Sequence, residues 1–126
     1  MEDAQHLELV NHLKDHLVPT AELEDLVSLF KSLGDLTRLR IILALAQTTL
    51  SVSELTDILG MSQSTISHQL GLLKQMNLVK GTRAGKNIHY RLADDHILTI
   101  VGTVKAHVEE QKSNARGVLV ANKACY

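Results

Sequence analysis

The chain has 126 residues, a formal net charge of −1, 44% hydrophobic residues and only 2% aromatic ones. That length fits one domain, and that composition fits a Leu/Ile/Val core of the kind found in largely helical proteins. The longest purely apolar run, Ile41 to Ala46, falls far short of the roughly 20 residues a membrane span needs, so no membrane partner is expected.

In chain order, the start reads Met1-Glu2-Asp3, acidic where a secretory signal is basic. Leu7 to Leu17 suits a short amphipathic helix ended by Pro19. Ala21 to Leu33 predicts a helix with Leu23, Leu26, Val27, Phe30 and Leu33 on one side. After Gly34, Asp35 caps a helix over Leu36 to Gln47 that buries Leu39, Ile42, Leu43 and Ala46. Ser51 and Glu54 form a capping box opening a short helix to about Leu59, where Gly60 stops it. Ser62 then caps a longer helix to about Met76, with Ile66, Leu70 and Leu73 inward. Two helices joined through Gly60-Met61 make a helix-turn-helix pattern. Leu78 to Leu92 predicts a β-hairpin: Val79 in one strand, Ile88, Tyr90 and Leu92 alternating in the other, Gly85 in the loop. Asp94 to about Lys112 is a last helix, and Ser113 to Tyr126 reads as a mobile tail. The single cysteine, Cys125, excludes an intrachain disulfide and suits a reducing cytoplasm. The expected organisation is an N-terminal arm (1–20), a winged helix-turn-helix DNA-binding and dimerisation domain (21–112) and a flexible tail (113–126).

Near-neutral charge argues at first against a nucleic-acid partner, but its distribution argues for one. The segment Ile58 to Ala93 holds Lys74, Lys80, Arg83, Lys86 and Arg91 and no acid, which makes a localised anion-binding face. The second helix of the turn motif offers Gln63, Ser64, Ser67 and His68, mostly short neutral hydrogen-bonding groups suited to base edges and phosphates. A merely solvated helix more often carries Lys and Glu. This pattern suits a recognition helix entering the major groove of double-stranded operator DNA, with Arg83 and Lys86 of the hairpin reaching phosphate or the adjacent minor groove. His68 has a second reading, as a brace for helix packing.

The segments LFKSLGDLTRLRIILAL, LSVSELTDILGMSQSTISHQLGLLKQMNLVKGTRAGKNIHYRL and DDHILTIVGTVKAHVEE resemble the ArsR/SmtB family of bacterial metal-responsive repressors over roughly Leu26 to Glu110. The resemblance implies a mainly α fold with a β-hairpin wing, a homodimeric winged helix-turn-helix of order α-α-α-α-β-β-α. It also implies that the apoprotein represses and that an inducer releases it from DNA.

The family does not fix the inducer. One family site puts cysteines at the start of the first turn-motif helix; here Ser51-Val52-Ser53 stands there, and hydroxyls are poor ligands for thiophilic ions. The other lies on the last helix, and its pattern matches Asp94, His96, His107 and Glu110. His96 and His107 are eleven residues apart, so they share a face but lie about 16 Å apart along one helix. An antiparallel copy of that helix would bring Asp94 and His96 of one chain to His107 and Glu110 of the other, giving two shared sites per dimer. Two imidazoles and two carboxylates suit Zn(II). Cobalt(II) fits the same set; Ni(II) prefers more ligands, which His6, His12 or His16 could supply. The resemblance further suggests a relay from His107 to backbone near Asn77, at the end of the recognition helix. The rival readings are a regulator answering a non-metal signal, with Cys125 as the only thiol, a zinc-dependent enzyme, for which no nucleophile–base set stands out, and a structural dimerisation module.

Overall fold

The computed structural model describes the backbone of residues 2–121 and the side chains of residues 3–115. The chain divides after Gly34 into two compact units. In the first, α1 (Glu2–Asp15) and α2 (Thr20–Leu33) stand on either side of Pro19, whose extended backbone (φ −55°, ψ 144°) and missing N–H separate them. Helix α1 starts earlier than Leu7 and stops short of Leu17, and residue 20, the expected end of the arm, lies inside the first unit. Of the apolar side expected on α2, Leu33 is buried, whereas Leu23, Leu26, Val27 and Phe30 are 49%, 43%, 44% and 61% exposed. That stripe is exposed hydrophobic surface on the first unit.

The second unit is built on local signals that the sequence states clearly. Helix α3 (Leu36–Leu45) begins where the Asp35 carboxylate accepts the Arg38 N–H at 3.0 Å. Its fully buried residues are Ile41, Ile42 and Leu45, while Leu39, Leu43 and Ala46 are half-buried, so the inward face is turned by one position from the expected one. A two-residue strand, β1 (Leu50–Ser51), leads directly into α4 (Val52–Leu59). The capping box is formed in full: the Glu54 N–H donates to Ser51 Oγ at 3.1 Å, and the Ser51 N–H donates to Glu54 Oε1 at 3.0 Å. Gly60 ends α4 in the left-handed region (φ 66°), where only glycine pays no Cβ penalty.

Helix α5 (Gln63–Gln75) starts at Ser62, whose hydroxyl accepts the Thr65 N–H. It ends in a Schellman motif: the Leu78 N–H donates to the Leu73 carbonyl at 2.9 Å, the Asn77 N–H to the Lys74 carbonyl at 3.0 Å, and Asn77 takes φ 58°. Strands β2 (Val79–Ala84) and β3 (Asn87–Leu92) make the wing, and β3 pairs antiparallel with both neighbours in the order β1-β3-β2. The third strand is invisible to periodicity because two residues cannot show an alternation. The core gathers Ile41, Ile42 and Leu45 from α3, Leu55 from α4, Ile66, Leu70 and Leu73 from α5, Leu78 and Val79 at the root of the wing, and Ile97 and Val101. The last two lie on α6 (Asp95–Ala121), which runs past the expected end at Lys112. Cys125 lies outside the described residues. Among the described residues, no helix is long and apolar enough to cross a membrane.

Replacing Ser51 by Ala should destabilise the winged unit by about 1 kcal/mol, the usual worth of an N-cap, read by urea or thermal unfolding; an unchanged midpoint would contradict the capping role. Hydrogen bonding to the Ser51 backbone N–H, and then to its hydroxyl, holds the Glu54 carboxyl below its ordinary range. A folded pKa below the unfolded one adds stability that is present above the unfolded value and lost as pH falls through the folded value. Glu54→Gln should therefore flatten the acid limb of the stability–pH curve relative to the native chain, and equal limbs would contradict that.

Candidate nucleic-acid interface and metal centre

Helix α5 buries Ile66, Leu70 and Leu73 to 0%, 1% and 0% exposure. At 100° per residue, this turns Ser64 and His68 to the far side and Ser67 to the flank, while Gln63 stands nearer the buried side in the first turn; all four are exposed. His68 is exposed with the others. Gly71, one turn further along, has nothing within 4 Å of where a Cβ would stand, so the face stays flat. At the helix start the hydroxyls form a fan: Ser62 Oγ lies 3.2 Å from Ser64 Oγ and donates to Thr65 Oγ1 at 2.9 Å. Arg38 of α3 reaches Gln69 Oε1 at 3.5 Å, a long contact that ties the helix to the body beneath it.

The wing carries Arg83 and Lys86 exposed near its tip. Gly85 turns the chain there with φ 66°. Arg91 on β3 donates to Thr82 Oγ1 on β2 at 3.0 Å. Gly81 faces Tyr90 across the ladder, and a Cβ on it would stand 2.8 Å from Ile88 Cγ2 and 3.1 Å from Tyr90 Cε1. The strand pair is thus packed closely below the tip. Between the start of α4, the start of α5 and the wing tip lies an open cleft of about 290 Å³, with Ser53, Thr56, Gln63, Lys86 and Asn87 in its walls. Ser53, Thr56 and Asn87 were not singled out by sequence; a polar residue on a short helix gives no signal until the wing is seen to close over it.

On α6 the four expected metal ligands form two separated pairs. Asp94 caps the helix, its Oδ1 accepting the Ile97 N–H at 3.1 Å, and the same oxygen lies 3.6 Å from His96 Nδ1. His107 and Glu110 are exposed one turn apart further along, and by helical rise about 16 Å from the first pair. Among the described residues of one chain, no three His, Cys, Asp or Glu side chains converge on a common point. Ile97 and Val101 are buried, yet Leu98, Val104 and Val108 stay 44%, 56% and 46% exposed on the same helix. Asn77 holds its left-handed conformation as the cap of α5, and no described hydrogen bond joins it to His107. In the first unit, the rings of His12 and His16 stack with centroids 4.1 Å apart, and His16 Nδ1 donates to the His12 carbonyl at 2.7 Å.

With this geometry in view, residues 35–80 match the family model described as bacterial regulatory protein, arsR family. The chain is 35% identical over 105 residues to a transcriptional repressor SmtB homolog of Synechocystis, covering 83% of this chain and 80% of that one. Its backbone resembles the crystal structure of the AntR antimony-specific transcriptional repressor (TM-score 0.70, 36% identity, 77% of this chain and 88% of that one). It also resembles the homodimeric winged helix-turn-helix DNA-binding domain of a possible ArsR-family regulator from Mycobacterium bovis (TM-score 0.68, 30% identity, 72% and 84%). The recognition-helix face, the wing and these likenesses agree: the chain belongs to the ArsR/SmtB family of winged helix-turn-helix transcriptional regulators.

Proposed function

We propose that the protein is a cytoplasmic repressor that binds operator DNA as an apo homodimer and leaves it when Zn(II), or a similar divalent ion, binds between the two α6 helices. Gln63, Ser64, Ser67 and His68 read the major groove, and Arg83 and Lys86 hold the flanking backbone or minor groove. Each ion is held by Asp94 and His96 of one chain and His107 and Glu110 of the partner, two ions per dimer.

One observation carries the metal assignment: all four donors are exposed, but the two pairs stand too far apart along one helix to share an ion. Symmetry supplies the missing half, because an antiparallel partner puts the complementary pair opposite each end. The exposed Val104 and Val108 between the pairs give such a partner apolar surface to cover. Two imidazoles and two carboxylates match the tetrahedral N/O chemistry of zinc. A soft ion of the antimony kind would find only hydroxyls at the start of α4, where the Ser51 hydroxyl already accepts the Glu54 N–H.

Release requires that zinc favour a dimer geometry different from the DNA-bound one. Ligation through one imidazole nitrogen leaves the other N–H of His107 to seek an acceptor. We assign that acceptor to backbone near Asn77, at the end of α5, so that loading the metal shifts the recognition helices. A second reading, Ni(II) or Co(II) sensing with N-terminal help, rests on the stacked His12–His16 pair. Its donor bond at His16 Nδ1 leaves the Nε2 of that ring as a ligand.

Titrating the dimer into a duplex selected by the apoprotein, with Zn(II), Co(II), Ni(II) or Cd(II), tests the reading. Zinc should weaken binding by about ten- to a hundredfold, a coupling of a few kcal/mol, and the Asp94→Ala/His96→Ala variant should lose the effect while a Cys125→Ser variant keeps it. Zinc-independent binding by the native chain would contradict the assignment. His107→Gln should still bind duplex when metal-free but lose zinc-driven release; normal release would remove the relay. Release by Ni(II) or Co(II) that is lost in His12→Ala/His16→Ala, with α6 intact, would favour the second reading.

A further inference from the structure

We infer that the cleft between α4, α5 and the wing tip is a seat for one phosphodiester of the duplex, with Ser53, Thr56 and Asn87 as contacts beside Lys86. The inference rests on the DNA-binding reading above and deepens it. A helix in a major groove and a wing at the adjacent minor groove have one sugar–phosphate strand between them. The surface that joins recognition helix to wing must therefore face that strand, and here the surface is this cleft.

Its chemistry fits a phosphate better than an organic effector. At about 290 Å³ it lies at or below the lower limit for sites that enclose drug-sized ligands. Such sites are mostly apolar, whereas here hydroxyls, two amide side chains and one ammonium stand beside the apolar Val52 and Ile88. No Asp or Glu lines it, and Lys86 supplies the counter-charge. The capping box uses the Ser51 and Glu54 N–H groups, and the first-turn N–H groups of Val52 and Ser53 have no partner within the helix, as at any helix start.

A separate observation points the same way. The Thr56 hydroxyl is buried without a hydrogen-bond partner among the described residues, an arrangement that costs stability in the free protein. Threonine on a helix populates two χ1 rotamers, and Thr56 lines the cleft, so the inference requires a rotamer change that brings its hydroxyl to the cleft surface. The free chain thus keeps an unsatisfied donor at the wall of a cationic cleft, and an anion there relieves it.

The test uses the full chain, a duplex selected by the native protein, and the same duplex with single neutral methylphosphonates placed along the backbone. Ser53→Ala/Thr56→Val/Asn87→Ala should weaken binding about 3- to 30-fold on selected and mixed-sequence duplexes alike, as expected for neutral hydrogen bonds to backbone. The salt dependence should be unchanged, whereas Lys86→Met should lower its slope by about 0.9. One methylphosphonate position per half-site should cost the native chain affinity and cost the triple variant, which keeps only Lys86 there, less. Thr56→Val alone should melt at the same temperature as the native chain or higher while binding duplex more weakly. If the native chain binds duplex but no backbone position couples to the triple variant, the seat is wrong and the DNA reading stands. If inorganic phosphate at millimolar concentration shifts the Ser53 and Thr56 amide resonances while the triple variant binds duplex normally, the cleft is a free-oxyanion site and the inference is overturned. If the native chain binds no duplex, the DNA reading and the inference fail together.

Discussion

Burial of Ile66, Leu70 and Leu73 is the constraint on which the functional surface depends. Each such side chain is worth about 2–5 kcal/mol against truncation to alanine, so the rotation of α5 about its own axis is strongly set. That rotation turns Ser64 and His68 outward with Ser67 on the flank, and Gln63 is exposed beside them in the first turn. The same core continues through Leu78 and Val79 into the root of the wing. Recognition helix and wing therefore share one packed base, and β1 ties the start of α4 to the wing through its pairing with β3. Three polar surfaces from three elements are held in register by apolar contacts none of them makes directly.

Helix α6 combines anchoring with exposure. Ile97 and Val101 fix its first turns to the winged unit, while Val104 and Val108 leave the middle of the helix uncovered. Asp94 serves the helix start by accepting the Ile97 N–H. A carboxylate has capacity for more than one partner, so the same residue can cap the helix and, in the proposed dimer, ligate an ion. Metal capture at that point would act on the junction between β3 and α6 rather than on a loose side chain. This gives the proposed switch a mechanical path back to the wing and to α5.

Much of the winged unit was legible because its signals are local. Asp35, the Ser51–Glu54 box, Ser62, Gly60 and Gly85 each state a cap or a turn within four residues, and the structure places each where the sequence puts it. The inward face of α3 was misread by one position because Leu36–Leu45 is apolar on nearly every side, so periodicity has little contrast there. Strand β1 was missed because a two-residue strand is defined by its partner, Tyr90 and His89 on β3, and not by its own pattern. The sequence puts Leu23, Leu26, Val27 and Phe30 on one side of α2, and they are exposed there: an amphipathic stripe reports that something covers it without saying what. The cleft residues Ser53 and Thr56 lie far in sequence from Asn87, and their juxtaposition is visible only in the fold.

The central claim is that the ion site is shared between chains, and a mixed dimer measures this directly. One chain carries Asp94→Ala/His96→Ala, the other His107→Ala/Glu110→Ala. Each homodimer lacks half of every site and should bind no zinc at these positions. The heterodimer pairs the intact half of one chain with the intact half of the other, so native mass spectrometry should find one zinc per heterodimer against two for the native dimer. A heterodimer that binds none, or variant homodimers that bind as the native chain does, would contradict the shared site.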